Sequence, residues 1–486
     1  MKMLDSRALN RATLARQFLL DRADVPVPAA VAHLCGLQAQ EPQEPFVGLW
    51  SRLRAFDPTA LDDLLTGRRV VRTHLMRRTV HLVTADDALA WRARHDPMLR
   101  QRVLGVYRRE FDGVDLDELA TAARDVMADG EPRTMPELGR ALAPRWPSAG
   151  PRALGEMVVA ALIPTVQLPP RGLWRRKAGA RTVPMSSWLG REVPPPAPDG
   201  SDPVGAALVA RYLAAFGPAT AADLRSWSGL AGLPRAVAAA RGDLIAFRDE
   251  HGRELLDLPD APRPDPDTPA PVRFLPAFDN AILGYHDRTR IIDHAHRGLS
   301  VAGARVVLVD GRVTATWTSD ADGVAVTPLR ALTATEHAAV VTEGRDLAAF
   351  LTGSDRVEVA RRALGPARSR ASRAARLDGS SGGPGPEQQP RGQGDREPQR
   401  QPLPAEVVHA DHVQLVVDQV RHAEQQRTDQ DRSDEHRLGP PDADRGDGRE
   451  LQQGQPEVAH EVFVVGREQA HPGVGGGREG GEEPGR

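Results

Sequence analysis

The sequence predicts an α+β fold. It has three tandem winged-helix units, a small C-terminal α+β module and a disordered C-terminal tail. Three observations predict it. A helix–helix–hairpin pattern recurs three times before residue 260, a hairpin with an Asp-Gly turn follows, and the composition breaks at residue 378. The expected boundaries are 1–112, 113–200 and 201–260 for the winged-helix units, 261–377 for the module and 378–486 for the tail.

In the first unit, residues 9–20 and 28–37 have helical periodicity, with Pro28 placed for a first helical turn. Two β-rich runs, 70–76 and 79–83, flank Arg77-Arg78 and read as a hairpin. Thr84 with Asp87 resembles a capping box and opens a helix through Trp91 toward Leu104.

The second unit repeats the plan. Leu116, Leu119 and Val126 line one helix face, and Thr134 with Glu137 caps a second helix. A third helix covers 153–162. Then 165–168, the turn 169–172 and Leu173-Trp174 suggest strand, wing and strand.

The third unit has helices from Pro203, from Thr220 and through 236–240, then a hairpin of 244–247 with 254–256. Past a Pro/Asp-rich linker, 259–271, runs 305–309 and 312–317 flank Asp310-Gly311, a strong two-residue turn signal. A closing helix over 335–351 completes the module. Helix–helix–helix–hairpin is the plan in which one helix enters a DNA major groove.

Composition narrows the classes. Apolar residues make up 40% of 486, enough for sizeable cores. The single cysteine, Cys35, excludes an internal disulfide, a Cys-based zinc finger and an Fe–S cluster. No signal peptide or 18-residue apolar stretch is evident, so a cytoplasmic, nucleoid-associated protein without a membrane partner is expected. The net charge of −3 hides an asymmetry: residues 1–377 carry +7 and residues 378–486 carry −10. The latter hold 14 of the 20 Gln and one aromatic, Phe463. Such a segment buries too little apolar surface to offset its ordering entropy. It reads either as an inert tail or as an out-of-frame extension of a high-GC gene.

Residues 36–40 (GLQAQ), 72–83 (RTHLMRRTVHLV), 170–174 (PRGLW) and 275–280 (LPAFDN) resemble the AlkZ/YcaQ-type winged-helix family over roughly residues 7–365. That resemblance implies a C-shaped clasp of three winged-helix units. It also implies a monofunctional DNA glycosylase that releases alkylated purines, interstrand crosslinks included, without a cofactor. The family motif is Gln–apolar–Gln in one branch, so the resemblance assigns catalysis to Gln38 and Gln40. The implied partner is double-stranded, alkylated DNA.

The chemistry is consistent with those residues. N7-alkylation makes a purine cationic and already a good leaving group, so the site needs a positioned water and stabilisation of a sugar with oxocarbenium character. A Gln amide oxygen can accept from water and orient it. Two residues apart on a helix point about 200° apart. Gln38 and Gln40 therefore converge where the helix ends, and Pro42 favours such an end.

Glu41 and Glu44 are possible bases, although surface acids near a loop are the plainer reading. His81 shares a hairpin face with Thr79 and Val83 and is a candidate for the lesion pocket. His74 shares the hairpin. His294 and His296 have strand spacing for two ligands but no third, so no metal is expected. Arg77 and Arg78 at the first predicted wing tip are expected to contact phosphate. So are Arg171, Arg175, Arg176 and Lys177 at the second. A non-enzymatic winged-helix regulator would use the same scaffold and basic wings, and a protein-interaction scaffold would leave the arginines as solubility features.

Overall fold

The computed structural model describes residues 2–360; the expected tail, 378–486, lies outside them. The order of elements follows the sequence pattern. Helices Ser6–Arg16, Val27–His33, Glu44–Trp50 and Pro58–Thr66 surround strand β1 (Leu37–Gln38) and precede β2 (Val70–His74) and β3 (Val80–Thr84). The helix Ala85–Tyr107 then crosses to the second segment, Leu116–Val126, Met135–Leu142 and Pro151–Met157, which ends in β4 (Thr165–Gln167) and β5 (Thr182–Pro184). The third comprises Pro203–Phe216, Ala221–Ser228 and Leu233–Ala240, closed by β6 (Ile245–Arg248) and β7 (Glu254–Asp257). The last holds β8 (Arg273–Leu275), β9 (Val306–Val309), β10 (Arg312–Ser319), β11 (Val324–Pro328), the helix Ala334–Thr352 and β12 (Val357–Val359).

Local chemistry starts these helices. The Thr134/Glu137 and Thr220/Asp223 pairs make reciprocal capping boxes. At Thr84 the hydroxyl accepts from the Asp87 amide, but the Asp87 carboxylate turns away to Arg211. Asp310 (φ 48) and Gly311 (φ 77) make the tight β9–β10 turn.

The first two hairpins join in one five-stranded sheet, β1-β3-β2-β4-β5. One expectation is corrected: the second hairpin has a different outer strand. Its partner is β5, and Leu173-Trp174 sits in the long intervening loop. Trp174 is drawn away because its ring packs against Phe46 at 4.8 Å and Phe350 at 4.9 Å, in a cluster built by the first segment and the closing helix.

Many arginines face inward. Arg11, Arg16, Arg52, Arg72 and Arg92 are almost fully buried. Arg16 pairs with Asp257 across 241 residues, both side chains wholly buried. Such pairs lock distant segments, because removing one partner strands the other's charge. Among the described residues no helix is long and apolar enough to cross a membrane.

Candidate active site

Leu37 and Gln38 form a strand, not the helix end expected from periodicity, and Gln40 lies just beyond it. The helix stops at His33, and Cys35 (φ 55) and Gly36 (φ 84) enter left-handed conformations. Gly36 has no alternative there: a Cβ would lie 2.5 Å from Val83 Cγ1 and 2.9 Å from the Leu82 carbonyl oxygen. The chain then pairs antiparallel to β3, Gln38 opposite His81, and continues with Ala39 N–H donating to Val80 O at 2.8 Å. In extended chain, residues i and i+2 share a face. Leu37 and Ala39 join the apolar core on one side, so Gln38 faces the other without any helix end.

Their amide orientations are set by donors. Arg77 Nη2 donates to Gln38 Oε1 at 2.8 Å, and the Val80 backbone N–H donates to Gln40 Oε1 at 3.2 Å. Guanidinium and backbone N–H groups cannot accept, so the atom facing each must be the amide oxygen. Behind the strand, Arg72 donates to Ala39 O at 2.8 Å. Burial pushes its guanidinium down to about 9.

Arg77 is therefore not at an exposed wing tip. It adopts φ 56, turns inward and also donates to Asn280 Oδ1 at 3.1 Å and to the Trp227 carbonyl. Among the described residues no carboxylate pairs with it. Burial, with repulsion from Arg288 and Arg102, pushes it down to about 9, still charged at neutral pH. Arg78 is likewise engaged, with Glu156 at 2.7 Å. The hairpin tip packs against the second and third segments, which is why neither side chain extends away as a wing.

Gln38 lines an open cavity of about 290 Å³ with Glu44, Arg52, Phe278, Asp279 and Asn280; Gln40 lies outside that lining. Glu44 is not the surface acid expected. It is buried, accepts from Ala277 N–H at 2.7 Å and pairs with Arg305. Asp279 makes a bidentate pair with Arg52 at 2.7 and 2.9 Å and caps a short helix through Ala281 N–H. Both cavity carboxylates are thus held by guanidinium groups. Glu41 is partly buried, and its charge lies near Arg72 and Arg171.

His81 is fully buried behind Gln38 and does not line the cavity. Its Nδ1 lies 3.1 Å from the Thr79 carbonyl, so Nδ1 carries the proton. The Nε2 lone pair has no partner among the described residues. Burial, with Arg77 adding repulsion, holds the ring neutral, well below the usual imidazole range. His74 is pushed down to about 3 by burial and by Arg92 and Arg78. His294 and His296 lie in a 3₁₀ turn rather than a strand. No group of three potential metal ligands occurs among the described residues.

The second basic loop has a mixed fate. Arg171 is partly buried and donates to Ala178 O, while Arg175 grips the carbonyls of Phe350 and Leu351. Arg176 and Lys177 are exposed. Gln43 fastens this loop beside the motif: its Nε2 donates to Leu173 O and its Oε1 accepts from Arg175 N–H. Sequence reasoning missed Gln43, Arg52 and the inward turn of Arg77. Asp279 and Asn280 stood in the segment 275–280 that carries the family resemblance, but no role was assigned to them; for Asp279 a capping residue before a short apolar run was the local signal.

The sequence model for DNA glycosylase AlkZ-like proteins matches residues 31–350. The chain belongs to the AlkZ-like DNA glycosylase family. In fold this AlkZ-like chain is similar to Streptomyces sahachiroi DNA glycosylase AlkZ. The TM-score is 0.59 at 22% identity, over 74% of this chain and 100% of that one. No curated protein matches the chain. The AlkZ-like match takes in β1, both basic loops and the cavity segment 276–280.

Proposed function

We propose that this AlkZ-like chain hydrolyses the N-glycosidic bond of N7-alkylated purines in double-stranded DNA, as single adducts or interstrand crosslinks. One observation carries the reading. Gln38 lines a cavity whose carboxylates, Glu44 and Asp279, are both tied to arginines, while Arg77 fixes the Gln38 amide. Neither carboxylate of this cavity is left free of a guanidinium partner. The cavity cannot readily expel a neutral base, but a cationic N7-alkylpurine needs no protonation to leave.

The glutamines then act by position. Each amide oxygen keeps a second lone pair and each amide nitrogen two protons. Gln38 and Gln40 together can therefore donate to and accept from one water poised at the anomeric carbon. Fixing that water ahead of reaction lowers the barrier without a strong base. His81, neutral and buried, supports the strand behind Gln38. Arg176 and Lys177, held beside the motif by Gln43, supply phosphate contacts.

The test is a duplex carrying one N7-methylguanine, incubated with the protein and then treated to cut at abasic sites. Wild type releases the base. Gln38→Ala and Gln40→Ala keep duplex affinity and slow release by about tenfold to a thousandfold, the range for losing one preorganised polar contact. Gln40→Glu retains more activity than Gln40→Ala, because a carboxylate still accepts from Val80 N–H and favours the developing cation. An unchanged rate in the double Ala variant would remove the pair from the active site. No release by wild type on adducts or crosslinks would leave the regulator reading.

A further inference from the structure

We propose that Phe278 is the platform on which the damaged base stacks, and that its ring selects cationic over neutral purines. This rests on the glycosylase reading and extends it to a residue outside the Gln motif.

The backbone supplies the first argument. Phe278 has φ 59, a left-handed conformation that a bulky side chain rarely adopts. Strain of this kind persists where surrounding contacts over-determine it, and it gathers at functional sites. Here the anchors flank it directly. Ala277 N–H is held by Glu44, and Asp279 is clamped by Arg52 and caps the following helix. The ring edge rests on Gly303, where a Cβ would lie 2.5 Å from Phe278 Cζ.

The second argument is exposure. Residues 272–277, 279 and 280 are buried, while Phe278 stays partly exposed and lines the cavity with Gln38. Core packing would have hidden the ring, and an ordinary turn would have placed Gly or Asn at that φ.

The third argument is charge. Arg77 donates to Gln38 and Asn280, both in the cavity lining, and has no carboxylate partner among the described residues. It opposes the entry of a cationic base. An aromatic face attracts a cation through its quadrupole, most strongly when water is excluded. The purine of a single adduct, drawn out of the helix, offers a flat face of matching size. Once the glycosidic bond breaks, the alkylated purine departs neutral and the attraction to the ring weakens, which aids release.

The experiment uses the full chain and three duplexes. One carries 2′-fluoro-N7-methylguanine, whose fluorine retards base loss. One carries the neutral isostere 7-methyl-7-deazaguanine, and one carries guanine. Wild type prefers the cationic duplex over both others. Phe278→Leu keeps the strained backbone, an apolar side chain and the affinity for undamaged duplex, yet loses about twofold to thirtyfold of that preference, the range for one cation–π contact. Phe278→Tyr keeps it. Unchanged preference in Phe278→Leu, an equal loss in Phe278→Tyr, or equal wild-type affinity for the cation and its isostere would each overturn the proposal. Base release from an unfluorinated duplex by wild type is scored in parallel. Release with any of those three results overturns the stacking role alone; no release overturns the glycosylase reading as well.

Discussion

Arg77 shows how much one side chain can decide. Its guanidinium joins β1, the cavity segment and the third helical segment through Gln38, Asn280 and Trp227. Replacing it with Met keeps much of the volume but removes every donor, leaving buried acceptors unsatisfied at about 1–3 kcal/mol each. Arg77→Met is therefore expected to lower the melting temperature and to slow base release by about tenfold or more. If the rate effect runs through Gln38, a double-mutant cycle with Gln38→Ala is strongly non-additive, and strictly additive rate effects would reduce Arg77 to a structural role. The residue pair Arg77-Arg78 stood out in the sequence as a basic turn, but its direction was illegible. Its partners lie 39 to 203 positions away, and a positive charge at a turn looks the same whether phosphate or protein receives it.

At the scale of elements, β3 and the helix Ala85–Tyr107 each bury a histidine, His81 and His95, with an Nε2 that has no partner among the described residues. Burial lowers both, His95 to about 4 and His81 well below its usual range, with Arg92 and Arg77 respectively adding repulsion. The unfolded chain titrates near pH 6.5. Below that, the unfolded state binds more protons, so stability is full above about pH 6.5. It falls by up to about 1.4 kcal/mol per pH unit for each histidine as pH drops toward 4. Urea midpoints between pH 7.5 and 5 should show this loss. His95→Asn, whose amide can still donate to Trp91 O, should make the slope shallower. A flat profile would contradict it. Elements with local signals were legible: the capped helices, the Asp-Gly hairpin and the 70–84 hairpin. Strand β1 was not. Its apolar residues continue a helical pattern, and its extended form comes from pairing with β3, 43 residues later.

For the molecule as a whole, the basic character of residues 1–377 overstates the charge available to a partner. Arg72, Arg77 and Arg92 face inward, while Arg78 and Arg94 are engaged with Glu156 and Asp202. Arg176 and Lys177 remain exposed on a loop tied to Gln43. Replacing both with Ala should weaken binding to all duplexes alike and lower the salt slope by about one to two. Arg78→Ala, by contrast, should act on stability through Glu156 rather than on the slope. Equal slopes for wild type and the Arg176/Lys177 variant would place the DNA-binding surface elsewhere.

Taken by itself, the sequence determined the α+β class and the succession of three helix–hairpin segments. These depend on periodicity, caps, turns and short spacings, all local. Tertiary structure alone decided that Gln38 enters a strand opposite His81, that Arg77 donates to Gln38 from within, and that Phe278 lines one cavity with Gln38. Those outcomes arise from pairing and burial between residues up to 240 positions apart. Only the folded chain sets which donor meets which acceptor and which charge is left without a partner.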